Sequence, residues 1–588
     1  MTTVYNAFLN GVYDKNITYI PFNNLEKEIY FDTLQINIIA EFKNFVNNFY
    51  EDFNNVKYLE NIVDGVDGNK ILIINNYDII TNNILLINDN IHFVSSQILI
   101  KDEKYNKITI YPQIETNKCE IINMGYVGNL LHQYSASIQI LRKYYKYKYF
   151  YDSVLDPSIY IKGDYNDLIN NNNNIKNPVP KDKYQVNATN DLSNNIEIIH
   201  GPPGTGKTTL IMDIIKKKIP CHHTILCCAI QNQAIDVITN SLLKNNYDNI
   251  VVFGNSQKIS ELANKYHVDN LFANDEFLKK YIDDKTIFEK QILKNETSND
   301  KLFKKYNEKL TKINQQIYNR KKELIKTKKI IISTIDRSHV LNNLCNALID
   351  TIIVDESGAT TEMNLASLFV IQPKNIILIG DHKQLSAFTY SKIIPDEQYH
   401  NLSLLERFIN SNRKHNMLQI QYRMKTDICN LVSKLFYNNM LITHHSKISS
   451  VKNIKWCDIK GNDKMNEYYS YYNIEEINEI YNICVHNKNK NILILTFYNA
   501  QLGYLTQKFN NFPNIICKTI DSSQGMESDI VILSLVASIN KIIINKYQCN
   551  KKRLCVALSR AKNNLYIVGN QKLFYTNPVW KQIIDIVK

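Results

Sequence analysis

Gly201-Pro202-Pro203-Gly204-Thr205-Gly206-Lys207-Thr208 fits the pattern G-x-x-x-x-G-K-[ST]. The run before it, Ile196-Glu197-Ile198-Ile199-His200, reads as a short buried strand, and the run from Thr209 to Ile215 reads as a helix. A phosphate-binding loop needs that context. Its glycines let backbone N–H groups turn toward phosphate oxygens, and the helix N-terminus adds partial positive charge. Lys207 can then reach the outer phosphates, and the Thr208 hydroxyl can hold Mg²⁺.

Outward from this loop, composition sets bounds. At roughly 100–200 residues per domain, 588 residues suggest about three to five units. The net charge of +12 suits a polyanionic partner. Asn, Ile, Lys and Tyr are plentiful, as an AT-rich genome would produce, so asparagine runs carry little weight. Met1–Phe8 lacks a basic segment followed by an apolar one, so no secretory leader is expected. No apolar run reaches the roughly 18–20 residues of a membrane helix, so no membrane partner is expected. The 11 cysteines are scattered and odd in number, which points to a reducing compartment and an intracellular protein, cytoplasmic or nuclear. Cys221-His222-His223 with Cys227-Cys228 can be read as zinc ligands, but Thr224–Ala229 also reads as a buried strand with cysteine in the core.

Along the chain, residues 1–56 are mixed, with a helical stretch from Leu25 to Phe53. Between residues 57 and 115, the runs Ile71–Ile74, Ile84–Ile87, Ile91–Val94, Gln97–Ile100 and Ile108–Tyr111 predict a small β unit, barrel-like. Residues 116–180 read as helix, from Gly125 to Tyr151, and linker. The basic-aromatic run Arg142–Phe150 can stack bases or form a solvated helix face. The tract Asn170–Asn174 with Pro178 and Pro180 reads as a loop. No repeat period of 20–50 residues is visible. Residues 181–400 alternate strands (Thr224–Ala229, Asn249–Phe253, Lys329–Ser333, Thr351–Val354, Asn375–Ile379) with helices, the rhythm of a parallel α/β sheet. A basic helical insertion at about 260–328 predicts a projecting hairpin. Residues 401–588 form a second α/β unit, with strands at Asn491–Leu495, Ile515–Lys518, Ile530–Leu533 and Asn564–Val568.

Asp355-Glu356 ends an apolar strand about 150 residues after the loop. The first carboxylate can hold Mg²⁺ and the second can orient and deprotonate water. Gln384, in Gly380-Asp381-His382-Lys383-Gln384-Leu385, is placed to sense a γ-phosphate or its attacking water. Arg423 and Arg560 lie in the second unit, from which an arginine can stabilise charge on a transferring phosphoryl group.

This set resembles superfamily 1 helicases of the up-frameshift type, over about residues 180–575. In family order, Gln185 resembles the adenine-reading glutamine and Gln231–Asp236, with Asn232, motif Ia. Ser333-Thr334 resembles motif Ic, Asp355–Gly358 motif II, Gly380–Leu385 motif III and Gln421–Met424 motif IV. Ser470–Glu476 and Thr496–Gln501 also fit, and Thr519–Glu527, with Ser522, Gly525 and Glu527, resembles motif V; Arg553–Lys562 resembles motif VI. The chain departs from the family at Ile230-Gln231, at Lys425-Thr426 and near Ala537. More weakly, the β unit resembles the family's small barrel on a helical stalk, and the insertion its second accessory domain.

The resemblance implies two tandem RecA-like domains with ATP and Mg²⁺ between them and single-stranded RNA or DNA across their tops. ATP would meet Gln185, the loop from Gly201 through Thr209, Tyr422 as a stacking ring, Gly525 and Glu527. Nucleic acid would meet Asn232, Ser333, Thr334, Thr496 and Ser522. The expected activity is ATP-dependent 5′→3′ translocation or unwinding by a monomer. An ATP-switched nucleic-acid clamp that separates no duplex needs the same motifs and stays open. No zinc module is expected.

Overall fold

The structure is a computed structural model. It describes residues 2–14, 27–51, 58–64, 70–74, 83–87, 90–100, 105–112, 118–143, 148–166, 182–294, 300–344, 348–387, 389, 402–538 and 547–588. The Asn170–Asn174 tract, Pro178, Pro180 and residues 144–147 of the basic-aromatic run lie outside them.

The phosphate-loop strand, Ile196–His200, is buried at every position, as are Ile225–Ala229, Ile250–Phe253, Ile330–Thr334, Thr351–Val354 and Asn375–Gly380. Unbroken apolar strands of this kind suit a parallel sheet covered on both faces. They form one, in the spatial order Asn416–Met417, Ile196–His200, Asn375–Gly380, Thr351–Val354, Ile225–Ala229, Ile330–Thr334, Ile250–Phe253. Cys227 and Cys228 face opposite layers of it, Cys228 packing with Ile198 and Leu226 and Cys227 with Ile199 and Ile353. Burial pushes the Cys227 thiol up to about 12. The zinc reading therefore fails for these two cysteines, which are core residues pointing apart. His223 pairs instead with Asp164 at 2.9 Å.

A second parallel sheet runs Ile454–Asp458, Ala561–Gly569, Ser528–Ser534, Ile492–Thr496, Ile515–Thr519. The fold is thus α/β with two tandem RecA-like parallel-sheet units. The first unit extends past residue 400. Leu404, Leu405 and Phe408 pack into its core, Arg407 forms a buried pair with Glu362 at 2.6 Å, and Asn416–Met417 adds a strand beside the phosphate-loop strand.

The β unit is a closed six-stranded barrel, in the order Tyr58–Asp64, Lys70–Ile74, Tyr105–Tyr111, Asn90–Ile100, Asn83–Ile87, Lys118–Tyr126. Its last strand lies wholly beyond residue 115 and takes up Gly125, expected to be helical. Two of the expected runs belong to the single strand Asn90–Ile100, where a bulge between Val94 and Ser96 shifts the register. Such a bulge breaks the alternation that marks one strand. The barrel rests on helices Thr2–Tyr13 and Lys27–Glu51 through a stack of Tyr5 on Phe93 at 4.5 Å. The insertion holds the helix pair Glu276–Lys294 and Asp300–Lys326, tied at its base by Arg320 to Asp275 at 2.7 Å. Among the described residues no helix is long and apolar enough to cross a membrane.

Beyond strand Ser528–Ser534 the chain turns through Val536, whose φ of 71° is rare for a β-branched residue. Glu476 holds it there: both carboxylate oxygens accept from Val536 N, at 2.9 and 3.0 Å, and Ser534 Oγ donates to one of them at 2.6 Å. Asn473 Nδ2 donates to the Val536 carbonyl at 3.1 Å. Glu476→Ala removes the acceptor of two buried donors and frees a strained turn, so it is expected to cost about 2–4 kcal/mol of stability. Thermal or urea unfolding checks this. A loss below about 0.5 kcal/mol would show that the turn holds itself.

Candidate active site

Gly206 has φ 81°, and a Cβ there would stand 2.7 Å from Gln185 Nε2. The loop therefore turns through a left-handed conformation that favours glycine, and a side chain there would displace the Gln185 amide. Lys207 opens the helix Lys207–Lys217; its Nζ donates to the Gly201 carbonyl at 3.1 Å and lies 3.6 Å from Glu356 Oε1. Thr208 and Thr209 follow on the first turn. The Thr208 hydroxyl has no hydrogen-bond partner among the described residues.

Gln185 sits on the helix Lys183–Asn190, capped by Asp182, whose carboxylate accepts from Tyr184 N and Gln185 N. Gln185 Nε2 donates to the Thr205 carbonyl at 3.0 Å. The other Asp182 oxygen accepts from Tyr422 Oη at 2.7 Å, and Tyr422 N donates to the Gly204 carbonyl at 2.8 Å. Asp182 thus ties Gln185 of the first unit to the Tyr422 ring of the second. Burial and the Asp182 carboxylate push the Tyr422 hydroxyl well above its ordinary value.

Asp355 ends the strand Thr351–Val354 and is buried, accepting from Glu356 N at 2.9 Å. Burial and the Glu356 charge raise its carboxyl, against the pull of Lys207. Glu356 takes a φ of 51°, a left-handed conformation that costs an ordinary side chain about 1–3 kcal/mol. A Cβ on Gly358 would stand 2.5 Å from the Asp381 carbonyl, so the two loops after these strands pack back to back.

Asp381 is a junction. His200 Nε2 lies 3.0 Å from its Oδ1, Lys383 N donates at 3.1 Å, Gln384 Nε2 at 2.8 Å and Tyr437 Oη at 2.6 Å. Burial alone would raise this carboxyl, but His200, Tyr437 and Lys207 hold it well below the usual range. Gln384 is fixed by it and offers Oε1 to Arg560 Nη2 at 2.7 Å. Arg560 is fully buried and also donates to the carbonyls of Val556 and Met526 and to Ser559 Oγ. Burial and the neighbouring Arg423 charge lower its pKa to about 10, which leaves it cationic at neutral pH. Arg423 Nε donates to Glu527 Oε2 at 2.7 Å, and Lys562 takes the other Glu527 oxygen at 2.8 Å.

These groups line one cleft of about 660 Å³ between the two units. It gathers Gly204 to Thr209, Asp355, Glu356, Gln384, Tyr422, Arg423, Gly525, Glu527 and Arg560. Gly201, Pro202 and Gln185 stand behind its floor and are buried. Gln524, within the stretch Thr519–Glu527, lines it as well, and so does Lys447, for which no local pattern in the sequence gave a signal. Asp182 did have one, since Asp182-x-x-Gln185 has capping-box spacing.

The residues expected to meet nucleic acid stand at the carboxyl ends of strands, but not all can do so through side chains. Ser333 and Thr496 are 0% exposed, and Ser333 Oγ donates to the Thr334 carbonyl. Thr334 is buried as well, so the packed sheet covers all three side chains at these strand ends. Ser522 is exposed, and Asn232 Oδ1 accepts from Asn255 N at 3.2 Å.

Two families described as AAA domain match the chain, one over residues 180–392 and the other over residues 400–572. An uncharacterised ATP-dependent helicase of Methanocaldococcus jannaschii is 27% identical over 466 residues, covering 68% of this chain and 68% of that protein. Helicase sen1 of Schizosaccharomyces pombe is 26% identical over 506 residues, covering 68% of this chain and 30% of that protein. The regulator of nonsense transcripts 1 homolog of Drosophila melanogaster is 27% identical over 435 residues, covering 68% of this chain and 35% of that protein. The match thus spans about a third of the latter two. With its two tandem parallel sheets and a cleft between them lined by the G-x-x-x-x-G-K-[ST] loop, the chain belongs to the superfamily 1 helicases of the up-frameshift type, a family of nucleic-acid-dependent ATPases.

Proposed function

We propose that the chain hydrolyses ATP in this cleft to move 5′→3′ along single-stranded RNA or DNA, acting as a monomer. The observation that carries the reading is that one cleft holds the phosphate loop and acid pair of the first unit together with Arg423 and Arg560 of the second. Lys207, Thr208 and the loop amides bind the phosphates, Gln185 reads adenine and Tyr422 stacks on it. Thr208 and Asp355 fit Mg²⁺: among the described residues, a hydroxyl without a hydrogen-bond partner and a buried carboxylate with one backbone donor make an oxygen donor set short of a cation. Bound there, Mg²⁺ neutralises phosphate charge. Glu356 orients water and accepts its proton, while Gln384, Arg423 and Arg560 sense and stabilise the γ-phosphoryl group.

The coupling rests on contacts between the units. Arg560 to Gln384, Tyr437 to Asp381 and Tyr422 to Gly204 tie phosphate-sensing loops of the first unit to the second. A change at the phosphates would therefore shift one sheet against the other. Asn232 and Ser522, with the backbone at Ser333, Thr334 and Thr496, would hold the strand at the carboxyl edges of both sheets.

Duplexes with a 5′ or a 3′ single-stranded tail test the direction: displacement from the 5′-tailed form alone is expected. ATP hydrolysis with no displacement from either form would leave the clamp reading instead. Binding should also be salt-sensitive. With about five phosphates neutralised, log K should fall with log salt at a slope of about −3.5, from roughly −0.7 per phosphate. A slope near zero would contradict strand binding through phosphates.

A further inference from the structure

A second cleft, of about 580 Å³, lies between the insertion and the outer edge of the first sheet. Its sheet-side wall is Phe253, which ends the edge strand, with Asn255 just beyond it and Arg337 just beyond the neighbouring strand Ile330–Thr334. Its insertion-side wall is Phe272, Tyr318 and Lys321. Lys321 Nζ lies 4.9 Å from the Phe272 ring centroid, so a cation sits against an aromatic wall. Arg337 is exposed, and neither it nor Lys321 has a carboxylate within ion-pair distance among the described residues. Among the described residues the one acid lining the cleft, Asp269, is turned to solvent, its side chain 78% exposed and 3.3 Å from His267 Nδ1.

The cleft also continues the face on which the strand is proposed to lie. Along the carboxyl edge of the sheet, Asn232 follows Ile225–Ala229 and Thr334 ends the neighbouring strand, with Arg337 three residues further on. Asn232 Oδ1 accepts from Asn255 N at 3.2 Å, so the motif residue itself braces the cleft's loop. His267, buried, fixes the same loop through Nε2, 3.1 Å from the Gly254 carbonyl. An aromatic wall beside two cations that lack acidic partners matches an unstacked nucleotide: a base has a π-face for the ring and its phosphate pairs with the cations.

We propose that this cleft takes one unstacked nucleotide at the end of the bound single strand, the base against Phe272 and Tyr318 and the phosphate between Lys321 and Arg337. The proposal rests on the strand-binding reading above. It adds a specific subsite, outside both nucleotide cleft and motif residues, built by the insertion.

An abasic residue walked along a short oligonucleotide, in RNA and in DNA, tests it with the full chain. In the wild type, binding should weaken about 5- to 150-fold when the missing base falls at one register near an end. In Phe272→Leu, which keeps apolar volume but removes the ring, that register should lose its sensitivity to within about twofold. Arg337→Gln, at an exposed position, should make the salt slope shallower by about 0.7. The same abasic profile in wild type and Phe272→Leu, with an unchanged slope in Arg337→Gln, would overturn the subsite while leaving strand binding intact. Failure of the wild type to bind any oligonucleotide would overturn the strand reading itself and the subsite with it.

Discussion

Glu356→Gln is expected to bind Mg·ATP and to hydrolyse it at least about 100-fold more slowly than the wild type, the scale on which a positioned general base contributes. The amide keeps the length and shape of the carboxylate, so the left-handed backbone at φ 51° and the packing of Gly358 on Asp381 need not change. What it loses is the capacity to take a proton from water. It also releases Lys207, whose Nζ lies 3.6 Å from Glu356 Oε1. A freed Lys207 has one competitor fewer for the phosphates, so ATP affinity should hold or rise. Filter binding with ATP and single-turnover hydrolysis on the same protein separate the two effects. Hydrolysis at the wild-type rate would remove Glu356 from the mechanism.

Arg560→Ala and Arg423→Ala are each expected to lower kcat at least about 100-fold, since arginine fingers contribute on the order of 10³–10⁵ in rate. Their surroundings differ. Arg560 is a fully buried cation whose acceptors are all neutral oxygens, with no carboxylate in ion-pair distance among the described residues. Such a charge is incompletely compensated in the fold. A phosphoryl oxygen that gains negative charge during hydrolysis would complete it, so the interaction is worth more in the transition state than before it. Arg423 is instead held by Glu527 at 2.7 Å, a pair reinforced by Lys562. An ordinary surface ion pair would leave kcat within a few-fold. Because Arg560→Ala strips donors from Gln384, Val556 and Met526, its unfolding must be measured alongside. Arg560→Lys keeps a charge without the planar fork and should also turn over slowly. The double variant should lose less than the product of the single losses, because both groups act in one closed state. Weakened ATP binding with unchanged kcat would contradict the assignment.

How much of this is legible in the sequence follows from where the determinants lie. The phosphate loop, the acid pair and the buried strands are local patterns, and unbroken apolar runs such as Thr351–Val354 announce strands covered on both faces. Lys118–Tyr126 does not, since Lys118, Glu120 and Asn123 confine its isoleucines to the pair Ile121-Ile122, and it is a strand because the barrel must close against Tyr58–Asp64. Asn416–Met417 is two residues long and exists only as an edge on the phosphate-loop strand. The Asp381 junction is equally invisible: its partners His200 and Tyr437 lie 181 and 56 residues away. Nor does a motif disclose that Ser333 and Thr496 close over their own hydroxyls, because burial is a property of the packed sheet.

The central claim is that the cleft is an ATPase governed by a bound strand. Steady-state ATP hydrolysis with no polymer, with single-stranded RNA and with single-stranded DNA, side by side at low salt, tests it most directly. The expected result is a saturable rise in kcat with at least one of the two strands, reversed by salt and abolished in Glu356→Gln. A rate that no strand alters would contradict it.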